Sequence, residues 1–188
     1  MGIKFTAAKK LPGIILVEPV VHGDERGYFL ETFHAGKYKE GGIALPFVQD
    51  NLSRSSKGTL RGLHYQIVKP QGKLVYVVSG EIFDVAVDIR KGSPSFMKWF
   101  GTTLSAGNKK QIYVPPGFAH GFCVLSDTAD VIYKCTEQYY QEHDRPLAWD
   151  DPDIGIDWPI KDPILSQKDA AASRLKDISA KDMPIYTP

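Results

Sequence analysis

The chain has 188 residues, of which 43% are hydrophobic and 24% charged, an ordinary globular mix with enough apolar material for one sizeable core. With a formal net charge of +1, nothing argues for a nucleic-acid or membrane surface, and any basic site is local. No apolar run approaches membrane-spanning length, and the segment from Met1 to Lys10 lacks the apolar stretch of a secretory signal. The expectation is one cytoplasmic domain over residues 1–188.

In chain order, short runs rich in Val, Ile, Tyr and Phe alternate with Gly and Pro. They predict strands at 14–20, 28–33, 47–54, 59–66, 73–79, 82–88, 98–104, 111–114, 121–125 and 129–136. The pair Ser79-Gly80 reads as the turn of a hairpin. The tail changes character: Pro159 to Asp162 breaks the chain, and 165–178 predicts one or two short helices packed on the body. So many strands in one domain indicate an all-β barrel or sandwich. Cys123 and Cys135 sit in apolar runs without a spacing or flanking base that would suggest a disulfide or a nucleophile, and read as buried strand residues.

Strand parity gives the first functional clue, since successive residues point to opposite faces. Gln49, Asn51 and Ser53 fall on one face of their strand, and Gly62, His64 and Gln66 on one face of the next. A polar row is commonly a solvent-facing edge, and a lone His a hydrogen-bonded structural residue. Two adjacent strands with polar faces favour the lining of a cavity. Arg61 has the opposite parity to His64, so both can serve one site only through twist, a bulge or a place at the barrel mouth.

The run Pro115-Pro116-Gly117-Phe118-Ala119-His120 resembles the second motif of the cupin barrels, Pro-x-Gly-x-x-His. The first cupin motif offers His-x-His, then Glu, then Gly. Here the matching residues are His64, Gln66, Lys73 and Gly80. Neutral imidazoles and a carboxylate suit a divalent transition metal. A lysine ammonium would repel one. The reading is therefore a cupin-type barrel or jelly roll with no metal and no cofactor, in which Lys73 supplies the positive charge.

A longer set of strings, Asp24 to Glu31, Gln49 to Ser53, Gly58 to Gln66, Pro116 to Phe122 and Leu165 to Asp169, resembles the dTDP-4-dehydrorhamnose 3,5-epimerase family in order and spacing. The resemblance implies an isomerase that inverts C3 and C5 of a dTDP-linked 4-ketosugar on the way to rhamnose. It implies His64 as base, Asp169 as the carboxylate orienting it, Lys73 at the C4 oxyanion and Tyr133 as acid. Parity groups Tyr133 with Val131 and Cys135, as an inward-pointing residue requires. The resemblance further assigns Arg26 and Arg61 to the diphosphate, and Glu31, Gln49, Asp50, Asn51, His120 and Lys168 to other nucleotide or sugar contacts. Phe29 and Tyr139 or Tyr140 are candidates to stack on the thymine. Where the family has Glu five residues before a Trp, this chain has Asp144 before Trp149, one methylene shorter. His22, His34 and His143 read as loop residues without a role. The family is dimeric, so a homodimer is expected. The rival readings are a C3-only epimerase or ketoisomerase of a related deoxysugar pathway, and a non-catalytic sugar-binding cupin.

Overall fold

The computed structural model describes residues 2–187; Met1 and Pro188, the two ends of the expected domain, lie outside them. The strands in chain order are β1 (Lys4–Ala7), β2 (Ile15–Glu18), β3 (Val21–Asp24), β4 (Gly27–Leu30), β5 (Gln49–Ser56), β6 (Leu60–Gln66), β7 (Lys73–Ser79), β8 (Glu81–Asp88), β9 (Trp99–Ser105), β10 (Gln111–Val114), β11 (Phe118–Val124), β12 (Thr128–Cys135) and β13 (Asp144–Pro146). Helix α1 spans Ala35–Glu40 and α2 spans Gln167–Ala170; 3-10 turns follow at Leu175–Asp177 and Ala180–Asp182. Each strand read from the sequence is present. The sequence reading lacks β1, β3, β13 and α1, which are four to six residues long or shorter and carry little periodicity.

Two sheets face each other, one ordered β1-β2-β10-β7-β12-β5 and the other β13-β6-β11-β8-β9, while β3 and β4 form a separate hairpin. Every pairing between these strands is antiparallel. This is the all-β, cupin-like architecture expected, with short C-terminal helices. One expectation is corrected. Ser79-Gly80 does not close a hairpin, because β7 and β8 lie in different sheets. Gly80, at φ 77°, turns the chain out of one sheet and into the other.

Between the sheets lies a core of Val75, Val77, Ile112, Val114 and Val131 from one side and Ile82, Ala86, Leu104, Phe122 and Val124 from the other. The second sheet is covered behind as well: Leu63, Tyr65, Val85, Val87 and Ile89 pack against Leu147, Ile154 and Leu175. With both faces covered, β8 alternates Ile82, Asp84 and Ala86 into the barrel with Val85 and Val87 onto the outer layer, which is why it reads as a continuous buried run. The first sheet is covered at its N-terminal side, where Val17, Leu74 and Tyr113 meet Tyr38 of α1 and Ile43. Cys123 and Cys135 are buried and unpaired in a disulfide sense, as the sequence indicated.

Candidate active site

The apolar core does not fill the barrel. Toward one end the interior face of the first sheet turns polar in cross-strand rows. Lys73 of β7, Cys135 of β12 and Gln49 of β5 are direct partners in one row, and Val75, Tyr133 and Asn51 in the next. Residues directly opposite, and diagonal neighbours about 7–8 Å apart, share a face, so Lys73 and Tyr133 look into the same space. From the facing sheet come His64 of β6 and His120 of β11, direct partners across the ladder. The result is a cavity in two communicating lobes of about 270 and 450 Å³, both lined by His64, Lys73, His120, Tyr133, Tyr139 and Asp144.

The parity problem at Arg61 is resolved by a bulge. On β11 the partners of Arg61 and His64 are Phe122 and His120, so three steps on β6 oppose two on β11. The extra residue brings Arg61 onto the cavity face with His64, and removes Gly62 from the face on which simple alternation had placed it. A Cβ on Gly62, whose φ is 111°, would lie 2.7 Å from the His120 carbonyl oxygen and 2.8 Å from the Gly121 Cα. Arg61 lines the larger lobe, its Nε donating to Ser55 Oγ at 2.8 Å.

Two histidine–carboxylate pairs stand side by side. His64 Nε2 lies 2.6 Å from Asp169 Oδ1, a contact between residues 105 positions apart. Asp169 is held by α2, whose Ser166 cap accepts its backbone N–H at 3.1 Å. Burial works to raise the Asp169 carboxyl, but hydrogen bonds from His64, Ser166 and the Gly62 backbone outweigh it and leave it below the usual carboxylate value. A carboxylate partner fixes the tautomer and orientation of the imidazole. His120 Nε2 in turn reaches both oxygens of Asp84, at 2.9 and 3.0 Å, and the Asp84 side chain is fully buried. Asp84, the buried partner of a cavity histidine, is a candidate position that residue reading missed. Its only signal is a carboxylate at inward parity within an apolar strand.

Burial pushes the Lys73 ammonium below its ordinary pKa, against the opposing influence of Cys135, Asp144 and Asp84. Lys73 makes no ion pair among the described residues. Burial raises the Tyr133 phenol, with Cys135 adding to the effect and Arg61 opposing it, so it stays neutral and able to donate through the physiological range. At the mouth, Asp144 binds the Lys168 ammonium and accepts a 3.0 Å hydrogen bond from the Tyr139 hydroxyl. Gln49 accepts from the Tyr139 backbone at 2.9 Å and donates to Asn51 at 3.0 Å.

Four expected contacts are not brought into this cavity. Arg26 lies on the β3–β4 hairpin, 85% exposed and paired with Asp24 at 2.6 Å. Glu31 pairs with Lys37 at 2.8 Å near α1. Asp50 follows strict alternation along β5 to the outer face, where it pairs with Lys134 at 2.8 Å. Phe29, also on the hairpin, is 70% exposed.

The four positions of a cupin metal site do converge: His64, Gln66, Lys73 and His120 all line the smaller lobe. Their chemistry does not suit a metal. Each imidazole commits Nε2 to a carboxylate. The Gln66 amide is consumed by the backbone, donating to Lys69 O and Gln138 O and accepting from Tyr140 N. The fourth group is a cation. Among the described residues no cluster of three or more His, Cys, Asp or Glu is poised to hold an ion.

Comparison with known proteins places this geometry. The family model for dTDP-4-dehydrorhamnose 3,5-epimerase matches residues 8–177. The chain is 56% identical over 162 residues to the dTDP-4-dehydrorhamnose 3,5-epimerase of Methanothermobacter thermautotrophicus, covering 85% of this chain and 88% of that one. Its fold is similar, at TM-score 0.96 and 50% identity, to the Legionella pneumophila dTDP-6-deoxy-D-glucose-3,5-epimerase solved with dTDP-4-keto-L-rhamnose, over 99% of this chain and 100% of that one. It is also similar, at TM-score 0.88 and 32% identity, to a 3'-monoepimerase from Streptomyces bikiniensis solved with dTDP, over 96% of this chain and 93% of that one. The chain therefore belongs to the dTDP-4-dehydrorhamnose 3,5-epimerase family.

Proposed function

We propose that this chain converts dTDP-4-dehydro-6-deoxy-D-glucose to dTDP-4-dehydro-L-rhamnose, inverting C3 and C5 by proton transfer within the barrel and without a metal. The chemistry follows from the C4 ketone, which makes the protons on both neighbouring carbons removable once the enolate is stabilised. His64 takes the proton, Asp169 supports the resulting imidazolium, and Lys73 faces the oxyanion that forms at C4. Tyr133 delivers a proton to the opposite face of the carbon and recovers its own from solvent. Arg61 and Lys168 form a cationic lip suited to the diphosphate. Gln49, Asn51, His120 and Asp144 supply polar contacts to the sugar and nucleotide.

The single observation that supports this reading is that His64 on β6 and Tyr133 on β12 line one cavity from facing sheets, with Lys73 beside Tyr133. Inversion needs two groups on opposite sides of a planar enolate, and a sugar ring held between the sheets meets one on each side.

The working unit in this reading is a homodimer of single-domain chains in the cytoplasm. Among the described residues no helix is long and apolar enough to cross a membrane. The β3–β4 hairpin projects Tyr28 and Phe29, 58% and 70% exposed, away from the chain's own core. Arg26 and Glu31, which do not reach the cavity of their own chain, would serve that of the partner.

Tyr133→Phe tests the assignment, because it removes the hydroxyl and keeps the ring's packing. The variant should fold, bind dTDP and exchange the C3 proton with solvent, yet fail to invert C5. Formation of the L-configured product at the wild-type rate, read by NMR of the ketosugar in deuterated buffer, would exclude Tyr133 as the acid.

A further inference from the structure

The last described residues form a strap across the back of the site. Lys91 N–H donates to the Pro184 carbonyl at 2.8 Å and Tyr186 N–H to the Lys91 carbonyl at 3.0 Å. Lys91 and Ile185 thereby pair in parallel. This lays the Tyr186 ring over the Arg90 guanidinium, 5.0 Å from ring centroid to Cζ. The Phe118 ring also stacks on that guanidinium, at 4.3 Å. A planar guanidinium with two aromatic partners links the rings mechanically.

Arg90 is not free to follow either ring alone. Asp88, whose side chain is fully buried, grips it with Oδ1 on Nε at 2.9 Å and Oδ2 on NH2 at 2.7 Å. Ser93 and Ser95 hydroxyls donate to the same carboxylate, each at 2.6 Å. Burial raises the Asp88 carboxyl, but these donors outweigh it and hold it at about 2. Asp88 is also the direct ladder partner of Phe118. The turn before Phe118 sits against the same assembly. Gly117 has φ 88°, and a Cβ there would lie 2.9 Å from Arg90 Cγ and Cδ and 3.7 Å from Pro184 Cβ. Phe118 lines the cavity, and His120 follows two residues later on the same strand. Earlier in the strap, Asp182 lies 3.4 Å from Arg145 Nε, the neighbour of Asp144 at the cavity mouth.

We propose that this C-terminal strap, through the Tyr186–Arg90–Phe118 stack, sets the position of the Pro116-Gly117-Phe118 turn and so of His120 in the cavity. Tyr186 is then a positioning residue for the epimerisation, although it touches nothing inside the site. Losing its ring uncovers one face of the fixed guanidinium, loosens the Pro116-Gly117-Phe118 turn packed against Arg90 and Pro184, and shifts His120 relative to His64. The inference rests on the cavity being the site of reaction.

The experiment compares Tyr186→Ala with Tyr186→Phe in the otherwise complete protein, with a chain ending at Met183 as a third case. Tyr186→Ala should keep its circular dichroism spectrum and assembly state. Its kcat should fall about tenfold while KM moves far less, since small misplacements of a reacting constellation act on the chemical step. The imidazole N–H resonance of His120 against Asp84 should shift. Tyr186→Phe should match the wild type in both readouts, and the truncated chain should match Tyr186→Ala. Wild-type kcat and an unmoved His120 resonance in Tyr186→Ala would overturn the proposal. So would equal impairment of Tyr186→Phe, or a loss of kcat that vanishes when the assay is run well below the variant's melting temperature. Full activity of His64→Asn in the same assay would instead reject the site reading on which the proposal rests.

Discussion

Lys73 matters most at the residue scale, because burial opposes the positive charge that its proposed role requires. Its folded-state pKa lies below the ordinary lysine value, chiefly through desolvation. The sign of the consequence is fixed by linkage. The charge costs stability fully at pH below the lowered pKa, and the cost disappears as pH rises from there toward the ordinary value of about 10.4. Lys73→Met keeps most of the stem and removes the charge. It should therefore raise the melting temperature at neutral pH, by roughly 1 kcal/mol of stability, as expected when a strained functional charge is removed. It should also lower kcat at least about 10²-fold, the scale of losing one oxyanion donor. In the wild type, the alkaline limb of kcat/KM should fall below the ordinary lysine range. A Met variant that is both less stable and still active would show that the ammonium is a structural group.

At the scale of elements, strand β6 decides which residues meet. Its bulge turns Arg61 inward, and only glycine suits position 62, where φ is 111° and the His120 carbonyl closes the space. Gly62→Ala should cost about 2–4 kcal/mol, combining backbone strain with overpacking against main chain that cannot yield. It should also weaken dTDP binding by misdirecting Arg61, read from urea midpoints and calorimetry. A variant of wild-type stability would mean that β6 accommodates a side chain there. The same strand shows what alternation along a sequence can and cannot deliver. Gln49, Asn51 and Tyr133 sit on stretches of regular pairing, Tyr133 beyond the irregularity at Asp130 and Val131, so counting by twos found their inward direction. Counting failed at Gly62, because a bulge is a tertiary event set by close approach to β11. It failed at Ser79-Gly80 for a related reason: a turn between packed sheets has the same local chemistry as a hairpin turn. Pairing His64 with Asp169 needs α2 to fold back across the barrel mouth, which no local pattern encodes; there the family resemblance supplied the residue.

For the whole molecule, the unpaired edge of the six-stranded sheet matters most. Strand β5 ends that sheet, and on its outer face Leu52 is 68% exposed between the Asp50–Lys134 and Arg54–Asp130 ion pairs. A long edge strand with an exposed apolar residue invites a partner, and the projecting β3–β4 hairpin offers further apolar surface. Light scattering should accordingly give twice the chain mass of 20.9 kDa, and Leu52→Glu should shift the protein toward monomer and reduce activity with it. A fully active wild-type monomer would remove the partner's Arg26 and Glu31 from the mechanism. In the proposed mechanism the two sheets and the bulge serve one arrangement: His64 as base on one wall, Tyr133 as acid on the other, and Lys73 at the oxyanion. The most direct test follows the substrate's own protons. In deuterated buffer, proton NMR of the 4-ketosugar should show the wild type exchanging hydrogen at both C3 and C5, and His64→Asn exchanging neither, with rates down about 10²- to 10⁴-fold as for loss of a general base. Deuterium entering either carbon at the wild-type rate in His64→Asn would contradict the account.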